Sequence, residues 1–235
     1  MRNLEMIKSV MLDLETFGTR AGCAIRSIGA VVFDPYSDEI GDRFYQNVTS
    51  ESCRKSKLHF DPDTMNWWKQ QSSEVQQVFD VNPVHLKMAI MTFNDWFRSS
   101  SAEFVWSHGA AFDPPVYEAT CHAVGFKAPW NYRGVRDTRT LFELAGLKTE
   151  DLPFTGMKHN ALDDAIHQAK CVQEAMKRLR IERESLRDER DACCVAYDEL
   201  ARRTPGHFLF AGANEPNIDV KVKFLKKKSE WSIDG

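Results

Sequence analysis

Hydrophobic and polar positions near the start of the chain fall into three short runs, Ile7–Leu14, Ala24–Asp34 and Asp42–Val48. The first two are rich in β-branched residues, and all three predict strands. The turn Asp34-Pro35-Tyr36-Ser37-Asp38 makes a hairpin of the second and third. The pattern then lengthens its period. Asp61–Phe79 opens on Asp61-Pro62-Asp63-Thr64, which offers N-cap and first-turn residues, and predicts a helix. Val84–Ser99 carries Leu86, Ile90, Phe93 and Phe97 at helical spacing. Phe104–Ser107 predicts a short strand, Pro114–Val124 a helix, Val135–Thr138 a strand and Thr138–Leu147 a helix, and another helix starts near Asn160. Strands come first and α/β units follow, without an internal repeat. The expected fold is α/β, a mixed β-sheet flanked by helices.

Beyond about Leu179 the pattern changes again. Arg178–Asp191 is dense in charges of alternating sign, yet Val172, Leu179, Leu186, Cys193 and Leu200 recur every seven residues. That spacing predicts a long helix with a narrow apolar seam for a partner, either this chain or a second copy in a homodimer. Arg183 and Arg190 occupy companion positions and weaken a strict coiled-coil reading. Thr204-Pro205-Gly206 stops the helix. His207–Phe210 and Ile218–Leu225 then read as a β-hairpin, with Lys221, Lys223 and Lys226–Lys228 as a basic strip. The expected organisation is a domain over residues 1–179 and a C-terminal extension, helix plus hairpin, over residues 180–235.

Composition narrows the class. With 43% hydrophobic residues, 15 Phe and 6 Trp, the 235-residue chain can bury a substantial core. A net charge of −3 excludes a wholesale basic coat, so a nucleic acid would meet local positive patches and bound metal. No apolar run approaches the ~20 residues of a membrane span. The sequence Met1-Arg2-Asn3-Leu4-Glu5 lacks the start of a secretory signal. The six cysteines, at 23, 53, 121, 171, 193 and 194, form no CxxC pair. They point to reduced thiols and a cytoplasmic location, bacterial or that of a phage-infected host.

The strongest chemical signal lies in Val10-Met11-Leu12-Asp13-Leu14-Glu15-Thr16, where acids alternate with apolar residues in a strand. Residues two apart on a strand share a face, so both carboxylates leave the sheet together, roughly 6–7 Å apart at the backbone. Like charges so placed are costly unless a cation compensates them. Asp113 follows an apolar strand and a small-residue turn; it suits a helix N-cap or a site residue. In His159-Asn160-Ala161-Leu162-Asp163-Asp164, Asn160 is a natural N-cap and Asp163 suits a capping-box role. Asp164 is left to project from the first turn, with His159 just outside the helix and able to approach it.

Together these segments resemble the DEDDh 3′→5′ exonucleases: D-x-E on the first strand, an acid in an A-F-D turn, and H-x-A-x-x-D opening a late helix. The resemblance covers about residues 6–178. Asp13-Leu-Glu-Thr-Phe-Gly-Thr, Ser27-Ile-Gly-Ala-Val-Val-Phe-Asp-Pro, Asp63-Thr-Met-Asn-Trp-Trp-Lys-Gln-Gln-Ser and Lys158-His-Asn-Ala-Leu-Asp-Asp-Ala are similar to a phage and bacterial branch that includes exonuclease VIII-like and ribonuclease T-like proteins. That branch often shows Asn where His108 stands. The resemblance implies a ribonuclease H-like fold. It implies two divalent cations, Mg²⁺ or Mn²⁺, on Asp13, Glu15, Asp113 and Asp164, with His159 taking the proton of the attacking water. The implied reaction releases nucleoside 5′-monophosphates from 3′ ends of DNA or RNA, single-stranded or overhanging. Thr16, Phe17, His108 and Phe112 are the expected substrate contacts. Trp67 and Trp68, adjacent on one helix, cannot both face inward; one is expected in the core and the other at the substrate groove. Two other readings use the same fold: a non-catalytic nucleic-acid-binding or scaffold protein, and an endonuclease or transposase.

Overall fold

The computed structural model describes residues 8–203. Chain contacts divide into two compact units, Met1–Leu179 and Arg180–Gly235. The first holds a five-stranded mixed sheet in the order β3-β2-β1-β4-β5. Its strands are β1 (Ser9–Thr16), β2 (Ile25–Phe33), β3 (Ile40–Asn47), β4 (Phe104–Ser107) and β5 (Val135–Asp137). β1, β2 and β3 pair antiparallel, whereas β4 joins β1 in parallel and β5 joins β4 in parallel. The helices are α1 (Ser50–Lys55), α2 (Pro62–Lys69), α3 (Ser73–Val78), α4 (Leu86–Ser99), α5 (Asp113–Ala123), α6 (Thr138–Leu144) and α7 (Ala161–Arg203). The fold class is the expected one.

Strand alternation builds two cores on opposite faces of the sheet. Val10, Leu12 and Leu14 of β1 pack with Ile28 and Ala30 of β2 against Leu86, Ile90 and Phe93 of α4 and Val116 and Tyr117 of α5. Met11 of β1 packs with Val31 and Phe33 against Phe142 of α6 and Ala165, Ile166, Ala169 and Val172 of α7. Asp13 and Glu15 continue the Met11 row, so the period-2 rule sends both acids to the face that α7 covers.

Gly29 decides how closely α7 can cover it. It pairs with Asp13 across the β1–β2 ladder. A Cβ there would lie 2.1 Å from the carbonyl carbon of Ala161 and 2.2 Å from the nitrogen of Leu162. The first turn of α7 therefore rests on bare backbone beside Asp13.

One expectation changes in detail, and one helix was not expected. The helix read over Asp61–Phe79 breaks into α2 and α3, because the chain turns at Gln70–Gln71 and Ser72 starts a new helix by accepting from the Val75 N–H. The six-residue α1 is too short for hydrophobic period to reveal. Among the described residues no helix is long and apolar enough to cross a membrane. The expected stop at Thr204-Pro205-Gly206, the hairpin and its lysines lie outside the described residues.

Candidate active site

Each acid is delivered by a local rule. Asp13 and Glu15 stand half-buried at alternate positions near the end of β1. Asp113 is the first residue of α5, whose N-cap position falls on Phe112. Its buried carboxylate does not cap its own helix; Oδ1 accepts from the Leu14 N–H at 3.2 Å. That bond ties Asp113 to the residue between Asp13 and Glu15, across 99 positions of sequence.

The α7 entrance carries the remaining members. Asn160 Oδ1 accepts from the N–H groups of Leu162 and Asp163 at 3.0 and 3.3 Å, an N-cap as the sequence suggests. Asp163 Oδ2 reaches past the cap to the Met157 N–H at 2.8 Å, pinning the loop that carries His159. Gly156, at φ 111°, lets that loop pass; a Cβ there would lie 2.5 Å from Asp163 Cγ. His159 is itself left-handed, at φ 64°. This conformation costs about 1–3 kcal/mol in a non-glycine residue. Its N–H donates to Asp164 Oδ2 at 2.9 Å, which offsets part of that cost. One ligand atom each from Glu15, His159 and Asp164 lies within 4.8 Å of the others.

Charge in this cluster is held at a disadvantage. Burial raises the Asp13 carboxyl to about 7, with the Asp164 charge adding to the effect and a Gln168 hydrogen bond opposing it. Burial also raises Glu15 to about 9, helped by Asp13, Asp164 and Asp113 and opposed by Arg26. Asp113 is pushed well above the usual carboxylate range by burial and by Asp13. Asp164 is raised to about 6, chiefly by burial. His159 is shifted down by burial and by Lys158, which favours its neutral form.

The donor set fits a hard divalent cation. Four carboxylates whose ionised forms are mutually disfavoured gain most from a nearby positive ion, and all-oxygen donors suit Mg²⁺ or Mn²⁺. A second observation agrees. Gln168 Nε2 donates to Asp13 Oδ1 at 2.8 Å, but the oxygen of the same amide is buried with no hydrogen-bond partner among the described residues. A hydrated cation brings donors of the kind this oxygen lacks.

The expected substrate contacts divide. Thr16 is buried, and its hydroxyl donates to Gly18 O at 2.7 Å. Phe17, half-buried, stacks on Phe60 at 5.1 Å between ring centroids, against the α4/α5 core. Phe112 also packs against that core. His108 Nδ1 lies 2.9 Å from Thr138 Oγ1. The tryptophans part as expected: Trp68 is 4% exposed and its indole N–H donates to Thr16 O at 2.8 Å. Trp67 is 42% exposed and sets its ring edge-on to His159 at 5.1 Å.

Sequence reasoning missed Arg26, Gln168 and Gly29. Arg26 lies over the rings of Phe79 and Trp68, at 3.6 and 4.4 Å, and acts on Glu15. A cation inside an apolar strand was its signal. Gln168 stands four residues after Asp164, hence on the same helix face. Gly29 offered only the absence of a side chain in a β-branched run.

Residues 8–176 match the 3′-5′ exoribonuclease Rv2179c-like domain. The chain belongs to that family. It is also similar to the exodeoxyribonuclease of Enterobacteria phage T4, 26% identical over 121 residues. That match covers 45% of this chain and 52% of the phage protein, so the chain spans about half the length of the curated relative it matches. Among solved structures, cell-death related nuclease 4 (CRN-4) gives a TM-score of 0.54 at 15% identity, over 73% of this chain and 64% of its own. The nuclease domain of 3′hExo, a DEDDh family member, gives 0.50 at 15% identity, over 74% and 94%. Exonuclease I gives 0.51 at 12% identity, over 80% and 46%. These likenesses establish the ribonuclease H-like fold, and the family match shows a 3′-5′ exonuclease domain. Membership in the family implies divalent metal ions.

Proposed function

We propose that this protein hydrolyses nucleic acid from its 3′ end, releasing nucleoside 5′-monophosphates from single-stranded ends or 3′ overhangs. The observation that carries the reading is the convergence of Glu15, Asp164 and His159 within 4.8 Å, with Asp13 and Asp113 acting on the same charges. Asp13, Glu15, Asp113 and Asp164 would hold two divalent cations, Mg²⁺ or Mn²⁺, which when bound stabilise the attacking and leaving oxygens. An imidazole nitrogen of His159, neutral near pH 7, takes the proton of the attacking water. Trp67 restricts that imidazole by lying edge-on to it. Thr16 Oγ1 commits its proton to Gly18 O, which leaves an oxygen lone pair for the hydroxyl of a terminal sugar. Phe17 offers a ring face to a terminal base, and His108 and Phe112 border the same turn as Asp113.

The family description names RNA and the phage T4 relative's name names DNA, so the test includes both. Labelled single- and double-stranded DNA and RNA, each with a free or a blocked 3′ end, are incubated with Mg²⁺ or Mn²⁺. Mononucleotide release that requires a free 3′ end and is abolished by Asp13→Ala supports the reading. Internal cleavage of blocked strands points to an endonuclease, and binding without turnover to a scaffold. The division into an exonuclease domain over 1–179 and an extension over 180–235 belongs to the same proposal, as does a homodimer through the C-terminal helix. Leu186, 59% exposed in the heptad row of α7, supports the dimer, and sedimentation of Leu186→Glu tests it. Free thiols at Cys23, Cys53, Cys121 and Cys171 support a reducing, cytoplasmic setting.

A further inference from the structure

Gln168 lies outside the acid–histidine set, yet its side chain hydrogen-bonds one of that set's carboxylates. We infer that Gln168 is a positioning residue that fixes Asp13 for metal binding and thereby sets the protein's affinity for divalent cations. The inference rests on the proposed metal-dependent reading of this site and deepens it.

Three observations carry it. First, the Gln168 amide donates to Asp13 Oδ1 at 2.8 Å, joining the N-terminal part of α7 to β1 across 155 positions of sequence. One oxygen of Asp13 is thereby held while the other stays available, so the carboxylate cannot rotate freely. Orientation by an outer partner of this kind commonly changes metal affinity by about 10–100-fold. Second, the bond has a direction. Turning the amide over would set its oxygen against a carboxylate oxygen, so the N–H must face Asp13 whenever Asp13 is ionised. Third, that orientation leaves Gln168 Oε1 buried with no donor among the described residues. A buried acceptor left unmet is unfavourable, so a purely structural glutamine is poorly served here. A hydrated cation held by Asp13 would bring donors of the kind this oxygen lacks. Spacing supports the pairing: Asp164 and Gln168 lie one helical turn apart, so α7 presents a ligand and the support of a second ligand from one face.

The test reads metal binding without nucleic acid, on the full chain, by calorimetry or by the EPR signal of free Mn²⁺. Gln168→Met keeps the length and helix preference of the side chain but removes the donor. Gln168→Asn keeps the amide but withdraws it by one methylene. Both variants are expected to bind Mn²⁺ about 10–100-fold more weakly than the unaltered protein. The Mn²⁺ concentration giving half-maximal hydrolysis should rise by the same factor. A merely structural role would lower the metal-free Tm and leave Mn²⁺ affinity unmoved. Unchanged affinity in either folded variant, with strong Mn²⁺ binding by the unaltered chain that Asp13→Asn abolishes, overturns the inference and leaves the proposed function standing. If the unaltered chain binds no Mn²⁺, the metal reading fails and this inference fails with it.

Discussion

His159 occupies a conformation that few non-glycine residues adopt, and the reasons are local. Its left-handed backbone turns the chain into α7 and aims the N–H at Asp164 Oδ2. The side chain is thereby brought beside Glu15 and Asp164 without a place in the helix. In the proposed mechanism His159 serves as the base, so its removal should slow the chemical step while leaving the carboxylates intact. His159→Ala is expected to reduce kcat by about 10²–10⁴-fold with Mn²⁺ binding retained, measured by single turnover and calorimetry. Trp68 makes a contrasting case. Its indole N–H satisfies Thr16 O in a buried setting, so Trp68→Phe leaves that carbonyl unmet. The expected loss is about 1–3 kcal/mol of stability, read from urea unfolding. The candidate site residues were legible where alternation or a helix-start rule assigns a direction to a side chain. Gln168 was not, since nothing in a single helix says that an amide will meet a strand 155 positions away.

At the scale of elements, the entrance to α7 is a small machine of hydrogen bonds. Asn160 caps the helix, Asp163 reaches back to the Met157 N–H, and Gly156 makes room for it. Asp163 holds the loop in place through this bond. Asp163→Ala should therefore lower the single-turnover rate by about 10–100-fold through misplacement of His159, at a stability loss of only about 1–2 kcal/mol. Equal losses in rate for Asp163→Ala and for a remote surface control would refute this. The sequence signalled the cap at Asn160 but placed the Asp163 partner on the cap itself; the loop geometry that redirects it to Met157 has no period to read. The same limit explains the break between α2 and α3. A cap at Ser72 competes with continuation of a helix, and hydrophobic spacing alone does not weigh the two.

At the scale of the whole molecule, the sheet sorts apolar and acidic residues along one strand, and the price is electrostatic. Burial holds Asp13 near about 7 and Glu15 near about 9, whereas the unfolded chain ionises both near ~4. As pH rises, the unfolded state loses these protons first. The contribution of the pair to stability is thus fully present below their unfolded pKa values. It declines as pH climbs and is lost above the folded ones. The metal-free protein should show a falling Tm between about pH 5 and about pH 9, by scanning calorimetry. Saturating Mg²⁺ should raise Tm more at the alkaline end than at the acid end, with ~2.7 kcal/mol gained at a hundredfold excess over Kd. A Tm indifferent to Mg²⁺ at every pH would remove the metal from the account. The strands and the mixed character of the sheet followed from runs of β-branched residues and the α/β sequence of elements; the strand order did not. The closeness of α7 to β1 did not, because it depends on a side chain that is not there. Gly29 lets two distant stretches of chain touch through backbone alone. Adding one methyl at that position should wedge the helix from the sheet while every ionisable group survives. An inactive counterpart could thus be made with the parent's charge and surface chemistry, suited to capturing a strand that it cannot shorten.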